Sequence, residues 1–341
     1  MKLLVLGGTQ FLGRHVVDAA LARHHHVTIF ARGRAPVPWG PAVERRAGNR
    51  DPGVAPGLGV LAEGAWDAVI DTSGYLPRCV RASARLLEER VTHYLFVSSL
   101  SVYADDSAAG QDENASVAEL ADPSSEDVAT HYGALKAACE RQIEAAFDDR
   151  ATIVRPGLIV GPFDPTDRFS YWVARFLHPK VLGERGRDAV VPAPPSRQVQ
   201  FIDARDLAEW MLDLAAARIG GTFNACSPQG RWTFGDLVEA LERRARVSGT
   251  GVAPAWIAEA KLLAHGIVPW TELPLWLPES DPTTAGFMSF SCGKAMGHGL
   301  RFRPLEETLE DTAGWLAQRD NAGAWRNVLS AAREDALLQS A

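Results

Sequence analysis

The chain has 341 residues, 46% of them apolar and 23% charged, and a formal net charge of −7. This composition is that of a folded globular protein and excludes a disordered or fibrous organisation. The acidic balance without a basic tract argues against nucleic-acid binding, and no apolar run approaches the ~20 residues of a membrane span. Four dispersed cysteines without a CxxC pair predict neither a disulfide framework nor a metal site, so we expect a cytoplasmic protein.

Short apolar segments alternate with helical patterns through the first half of the chain. The predicted strands are 3–6, 27–30, 43–46, 68–71, 94–98 and 152–154, and the predicted helices are 11–23, 78–90 and 131–147. Alternation of this kind predicts the doubly wound α/β class, in which a Rossmann-like parallel sheet carries helices on both faces.

The second half is richer in Pro, Gly and aromatic residues. Two short strands, 201–203 and 222–224, flank a predicted helix at 205–217, and further helices are predicted at 233–245, 255–264, 305–316 and 325–337. We predict two domains that interleave along the chain. The first comprises 1–160 and about 197–225, and the smaller, mostly helical one comprises about 161–196 and 226–341.

A glycine-rich turn joins the first strand to the first helix. Glycines there permit a tight turn, and the N–H groups that begin the helix can then face a pyrophosphate. This position predicts a dinucleotide site built from Gly7, Thr9, Gln10, Phe11, Leu12 and Gly13. Gln10 stands where such a turn usually has its middle glycine.

The end of the second strand indicates which dinucleotide is bound. An acidic residue there would hold the ribose 2′-OH of NAD, whereas an arginine suits the 2′-phosphate of NADP. The chain has no carboxylate here but Arg32, with Arg34 two residues on. NADP(H) is therefore favoured as the cofactor and NAD(H) remains possible, although in a chain with 30 arginines each such contact is weaker evidence.

Three segments, 7–13, 98–103 and 132–136, resemble the extended short-chain dehydrogenase/reductases, the NAD-dependent epimerase/dehydratase-like group. Segments 155–162 and 201–208 are similar to later parts of that family, so the resemblance covers about residues 1–225. It implies a Rossmann domain that binds the nicotinamide cofactor and a smaller domain that binds a small-molecule substrate. Members of the family often form homodimers, which the sequence does not test.

Tyr132 and Lys136 form a candidate catalytic pair. Their spacing of four puts them on one face of a helix, where a cation one turn away favours the phenolate of a proton-transferring tyrosine. Lys is scarce, at five residues against 30 Arg, so a chance match at this position is improbable. The resemblance implies that Lys136 also holds the nicotinamide ribose and that Ser99 binds the reacting oxygen, with Ser98 as the alternative.

The resemblance also implies the remaining contacts. It places the cofactor near Asn49, Asp71, Thr72, Ser73, Pro156 and Gly157. The predicted substrate residues are Ser99, Tyr132, Leu158, Arg168 and Trp172. The loop 164–172 that carries the last two is either a pocket wall or an ordinary interdomain loop with a buried tryptophan.

These features predict an NADP(H)-dependent oxidoreductase that transfers hydride to or from a carbonyl or secondary alcohol, with ketone reduction as the first choice. A redox-neutral epimerase or dehydratase with retained NAD(P), acting on a sugar or nucleotide sugar, is the alternative enzyme. Sugar-nucleotide members commonly carry Asn and Arg where this chain has Leu158 and Val199. These two differences lower the probability of a sugar-nucleotide substrate. A non-catalytic nicotinamide-binding or RNA-associated protein is the alternative outside enzymes.

Overall fold

The computed structural model describes residues 1–34, 37–319 and 325–340. Its strands are β1 Lys2–Leu6, β2 His26–Ala31, β3 Val43–Ala47, β4 Trp66–Asp71, β5 Val91–Val97, β6 Ala151–Pro156, β7 Leu158–Val160, β8 Asp188–Pro192, β9 Gln198–Val199, β10 Phe201–Asp203, β11 Gly221–Ala225, β12 Trp232–Thr233 and β13 Ala253–Ile257. Its α-helices are α1 Phe11–Ala22, α2 Pro77–Leu87, α3 Val128–Phe147, α4 Ser170–Leu177, α5 Ala204–Ala217, α6 Phe234–Ser248, α7 Glu259–Ala264, α8 Gly293–Gly297, α9 Leu305–Leu316 and α10 Ala331–Gln339.

Seven parallel strands form the central sheet in the order β11-β6-β5-β4-β1-β2-β3. Helices α1 and α5 pack on one face and α2 and α3 on the other, each over its own apolar core. This confirms the predicted doubly wound class. Strand order reverses between β1 and β4, and in such sheets ligands bind at the carboxyl ends of the strands beside that reversal.

The rest of the chain adds three two-stranded pairs and a separate apolar core. The pairs are β7–β10, β9–β12 and β8–β13, and the core includes much of α4, α6 and α9. The predicted strand 201–203 therefore pairs with β7 and not with the central sheet, whereas 222–224 lies in β11 at the edge of that sheet. The division into two domains stays a prediction.

Two predicted helices were wrong in part. All five residues of β13 pair in parallel with β8, so a helix begins only at Glu259 and not at 255. Pairing with a strand more than 60 residues earlier overrides the local helical pattern here. At the end of the chain, the helix begins at Ala331 and not at 325, because the Ser330 hydroxyl caps it by accepting from the Arg333 N–H at 3.3 Å.

The helices and the cysteines bear on the protein classes considered from composition, namely membrane proteins and disulfide-bonded proteins. Within the described ranges, no helix combines the length and apolar character that crossing a bilayer requires. All four cysteines are buried and carry free thiols. Burial of this kind is common for cysteines that pack as small apolar side chains.

Candidate active site

A cavity of about 870 Å³ opens at the carboxyl ends of β1, β4 and β5, beside the reversal of strand order. Most residues predicted for the site line it. They are Gly7, Thr9, Gln10, Phe11, Leu12, Gly13, Arg32, Asn49, Thr72, Ser73, Ser99, Tyr132, Lys136, Pro156, Gly157, Leu158 and Arg168. Asp71 and Trp172 lie outside it. The fold thus gathers residues from across more than half the chain at one place.

The glycine turn has a backbone that only some residues could adopt. Gly7 has φ +93°, and a Cβ there would lie 2.8 Å from the Thr72 hydroxyl and from the Ser73 Cβ. Gln10 has an extended backbone with φ −135°, which any residue adopts and which explains why a glycine is not needed there. Helix α1 then begins without a side-chain cap or an acidic first turn. Its first N–H groups and positive end suit a pyrophosphate, so the turn fits a dinucleotide.

A close approach of α3 to the end of β5 places Tyr132 beside Ser99. The helix begins at Val128 with an Asp127 cap and is kinked at His131, whose φ and ψ are −117° and 30°. At Gly133, a Cβ would lie only 1.9 Å from the Ser101 carbonyl oxygen. Only glycine allows the helix this close to the serine turn, and sequence reasoning missed this residue.

Ser99 is held by the turn that follows β5. Its hydroxyl accepts a hydrogen bond from the Ser101 N–H at 3.1 Å and donates to the Ser101 hydroxyl, also at 3.1 Å. Ser98, the alternative to Ser99, also lines the cavity, but its hydroxyl is buried and has no hydrogen-bond partner among the described residues. Hydrogen bonds therefore orient the Ser99 hydroxyl, whereas none orients the Ser98 hydroxyl within the described residues.

The pKa of the Tyr132 phenol is raised above its ordinary value. Burial is the largest cause and the neighbouring Tyr75 adds to it, whereas a hydrogen bond with Ser99 and the nearby positive charge of Arg168 act in the opposite direction. Arg168 belongs to the loop between β7 and α4 and lines the same cavity. The acidity of Tyr132 therefore depends on a serine and an arginine from separate parts of the chain.

Lys136 lies at the floor of the cavity and is only 3% exposed. Its Nζ donates to the Val97 carbonyl at 2.6 Å and to the Gly74 carbonyl at 2.7 Å, and it lies 4.3 Å from the centre of the Phe96 ring. Burial lowers the pKa of Lys136 to about 8. The ammonium is therefore fixed in place by the end of β5 and by the loop that follows β4.

Asp71 does not reach the cavity. Its side chain is fully buried and paired with both terminal guanidinium nitrogens of Arg50, and it accepts from the Tyr94 hydroxyl at 2.8 Å and the Ser73 N–H at 3.1 Å. Arg50, which sequence reasoning missed, lines the cavity in its place. Asp71 therefore contacts the cavity lining only indirectly, through its bonds to Arg50 and to the Ser73 N–H.

Trp172 is also remote from the cavity. Its side chain is fully buried in the core around α4, where the indole N–H donates to the Pro274 carbonyl at 2.9 Å. Loop 164–172 was interpreted either as a pocket wall or as an interdomain loop with a buried tryptophan. The first interpretation holds for Arg168, which lines the cavity, and the second for Trp172, which lies in the core.

Sequence reasoning missed one wall of the cavity entirely. This wall, called the aromatic wall below, consists of Trp270, Phe287 and Phe290, with Met288 between the last two. It belongs to the long irregular connection between α7 and α8, where no helical or strand period exists to place it. The apolar string 287–290 was the available signal, but nothing local indicates where such a string packs.

Comparison with known proteins places the chain among related folds. The model of the NAD dependent epimerase/dehydratase family matches residues 3–226. Comparison with curated protein sequences gave no match.

Solved structures with similar folds include several nicotinamide-binding proteins. A UDP-glucuronic acid 4-epimerase from Bacillus cereus in complex with NAD is 16% identical, with a TM-score of 0.64, over 96% of this chain and 100% of that one. The Bordetella bronchiseptica enzyme WbmH in complex with NAD+ is 15% identical, with a TM-score of 0.66, over 93% and 98%. The human epimerase family protein SDR39U1 (isoform2) with NADPH is 18% identical, with a TM-score of 0.59, over 92% and 99%.

Proposed function

The chain belongs to the NAD dependent epimerase/dehydratase family, and we propose that it is an NADP(H)-dependent oxidoreductase that reduces the carbonyl of a small molecule or oxidises the corresponding alcohol. The observation that carries this proposal is the convergence of Ser99, Tyr132 and Lys136 on one cavity with the glycine turn. A protein that only bound a dinucleotide would have no need of a tyrosine and a serine side by side at that point.

Each of the three side chains has a distinct role in this proposal. The Ser99 hydroxyl donates to the substrate oxygen and orients it. The Tyr132 phenol donates its proton to that oxygen during reduction and accepts it back in the reverse direction. Lys136 holds the ribose hydroxyls and contributes positive charge beneath them. The nicotinamide, when bound, supplies or accepts the hydride.

The choice of NADP(H) rests on the end of β2. Arg32 and Arg34 are exposed and line the cavity, and neither has an acidic neighbour at hydrogen-bond distance among the described residues. A 2′-phosphate carries two negative charges and matches them, whereas a 2′-OH gains little from a guanidinium. Of the three solved structures described above, two contain NAD and one contains NADPH, which supports a nicotinamide cofactor of either type.

The residues at two positions favour a small ketone or secondary alcohol over a nucleotide sugar. Leu158 lines the cavity and Val199 is fully buried. These are the positions at which sugar-nucleotide members of the family commonly carry Asn and Arg. We therefore place a small ketone or secondary alcohol ahead of a nucleotide sugar.

A redox-neutral epimerase is the second candidate, because one of the structures compared above is a UDP-sugar 4-epimerase. In such a reaction the same serine and tyrosine would act, but the hydride would return to the substrate. The two candidates differ in stoichiometry. Net loss of NADPH absorbance with a ketone supports the reductase, whereas conversion of UDP-glucose or UDP-glucuronic acid without net NADPH loss supports the epimerase.

The decisive experiment compares the wild type with Tyr132→Phe. Fluorescence titration should show NADPH binding to both, because the phenol hydroxyl is not needed to hold the cofactor. Turnover of any ketone found in a screen should fall by about 10²–10⁴-fold in the variant, because general acid catalysis is lost. Absence of NADPH and NADH binding to the wild type would refute the enzyme proposal, and unchanged turnover in Tyr132→Phe would refute the site.

A further inference from the structure

The cavity extends past Tyr132 to a region formed by Arg168 and the aromatic wall. Neighbouring contacts link these groups: the Arg168 guanidinium lies 5.5 Å from the centre of the Trp270 ring, and that ring meets Phe287 edge-on at 5.3 Å. Phe287 in turn lies 6.4 Å from Phe290. Because the charge of Arg168 also acts on Tyr132, this region adjoins the reacting groups.

The charges that line the cavity have one sign. Among the described residues it is lined by Arg32, Arg34, Arg50, Lys136 and Arg168, and by no Asp or Glu. The cofactor proposed above accounts for Arg32, Arg34 and Lys136, and Asp71 neutralises Arg50. Of these five residues, Arg168 is left with a positive charge that neither the proposed cofactor nor a bonded carboxylate balances.

Arg168 has no hydrogen-bonded counter-ion within the described ranges. In the part of the chain that the structure describes, its buried Nε has no hydrogen-bond partner and no carboxylate lies within ion-pair distance of its guanidinium. Asp164 acts on it only at longer range, because that carboxylate accepts from the Thr166 N–H at 2.8 Å and the Thr166 hydroxyl at 3.0 Å. A half-buried guanidinium without a partner is costly, so a ligand that supplies oxyanion acceptors is strongly favoured there.

The Gln200 side chain, which lines the cavity beside the aromatic wall, already has its hydrogen-bond partners. The Gln200 amide donates to the carbonyls of Ser227 and Phe290 at 2.8 and 2.9 Å, and its oxygen accepts from the Phe290 N–H at 2.8 Å. A sugar ring with several hydroxyls would find few hydrogen-bond partners against this surface. An apolar or aromatic body would pack against the rings instead.

We infer that Arg168 binds an oxyanion of the substrate, a carboxylate or a phosphate, and that Trp270 and Phe287 pack against an aromatic or apolar body that carries it. The guanidinium offers the bidentate geometry that both oxyanions accept. This inference rests on the proposed function, because it places the substrate's carbonyl or hydroxyl at Ser99 and Tyr132. It names the substrate class as small aromatic or apolar oxo acids or hydroxy acids, or their phosphorylated counterparts.

Three non-reacting probes of similar shape test this inference: benzoate, phenyl phosphate and neutral benzamide. Their binding is measured by calorimetry to protein saturated with NADP+, so that the cofactor blocks its own phosphate sites. The wild type should bind at least one anion roughly tenfold or more tighter than benzamide, since hydrogen bonds to a charged group are worth that much. The stronger of the two anions identifies the oxyanion.

Arg168→Gln should abolish this preference while NADP+ binding stays unchanged. Because the Arg168 side chain makes no hydrogen bond within the described structure, its removal orphans no partner and should not impair folding. Arg81→Gln is the matched control: it removes an exposed arginine of α2 that does not line the cavity, and the preference should persist. Trp270→Leu should weaken the binding of all three probes.

The inference is overturned if benzamide binds the wild type as well as both anions, if neither anion binds measurably, or if the preference survives in Arg168→Gln. Any of these results with intact NADP+ binding leaves the proposed function standing. Failure of NADP+ to bind would instead defeat the proposed function. The same probe comparison without cofactor, between Arg168→Gln and Arg81→Gln, would then decide the role of Arg168 alone.

Discussion

Lys136 donates a hydrogen bond from Nζ to the carbonyl of Gly74 at 2.7 Å, across 62 residues of sequence. The same ammonium donates to the Val97 carbonyl at the end of the neighbouring strand β5. The lysine therefore links the loop that follows β4 to the carboxyl end of β5 beside the cavity. Its second role, besides any contact with a cofactor, is to hold the cavity floor together.

We expect Lys136→Met to lower NADPH affinity about tenfold, because a charged donor is lost and two carbonyls are left unpaired. Since the pKa of Lys136 is about 8, its charge is present below pH 8 and lost above it. NADPH affinity of the wild type should therefore decline above pH 8, and that of the variant should not. Fluorescence titration from pH 6.5 to 9.5 measures both effects.

Lys294→Met provides the control for this experiment, because Lys294 also donates to a backbone carbonyl, that of Thr222 at 2.7 Å, but on the surface. It should keep both the affinity and the pH dependence of the wild type. Equal NADPH binding by Lys136→Met and the wild type across this pH range would show that Lys136 has no part in the cofactor site.

Gly133→Ala should destabilise the protein by about 2 kcal/mol or more, because the added Cβ would meet the Ser101 carbonyl oxygen at 1.9 Å and force α3 away. Gly314→Ala, within α9 and in open space, should instead add about 0.5–1 kcal/mol through helix propensity. Urea unfolding measures both. A stabilised Gly133→Ala would mean that α3 does not approach the serine turn this closely.

Arg32→Glu should shift cofactor preference from NADPH toward NADH, because a carboxylate repels the 2′-phosphate and accepts from a 2′-OH. The ratio of the two dissociation constants, obtained by fluorescence titration, is the quantity to compare. Arg81→Glu makes the same change of charge at an exposed position that does not line the cavity, and it should leave the ratio near the wild-type value. An unchanged ratio in Arg32→Glu would remove Arg32 from the site.

His93 should make the protein less stable in mild acid. It is 1% exposed, and its Nε2 lies 2.6 Å from the Thr152 hydroxyl, which itself donates to the Ile219 carbonyl at 2.6 Å. The imidazole must therefore donate to that oxygen. Burial lowers the pKa of His93 to about 4, whereas an unfolded chain has about 6.5. Between pH 4 and pH 6.5 the unfolded state therefore binds more protons than the folded state. The free energy of unfolding is highest above pH 6.5 and falls by about 3 kcal/mol as the pH is lowered to 4.

The free energy of unfolding in urea between pH 4 and 7.5 measures this effect. His93→Gln keeps a donor toward Thr152 but cannot titrate, so the slope in this pH range should be smaller than in the wild type. His26→Gln, at an exposed position, should retain the wild-type slope. If the wild type and His93→Gln showed parallel curves, the buried imidazole would not be the cause.

The sequence predicted the central sheet and the outline of the site because both depend on local patterns. Apolar runs of strand length and helical spacing identify elements within ten or twenty residues, and the order of those elements dictates a parallel sheet. The Gly7 turn and the spacing of Tyr132 and Lys136 are equally local. Each is a statement about neighbours along one turn or one helix.

What only the tertiary structure decided depends on contacts between distant segments. The pairing of Asp71 with Arg50 removed the aspartate from the cavity, and the approach of Gly133 to Ser101 set the position of Tyr132. The aromatic wall meets Arg168 across about 100 residues of chain. No periodicity or spacing in the sequence indicates such contacts. They depend on how side chains fill the interior and how buried charges are paired once the whole chain has packed.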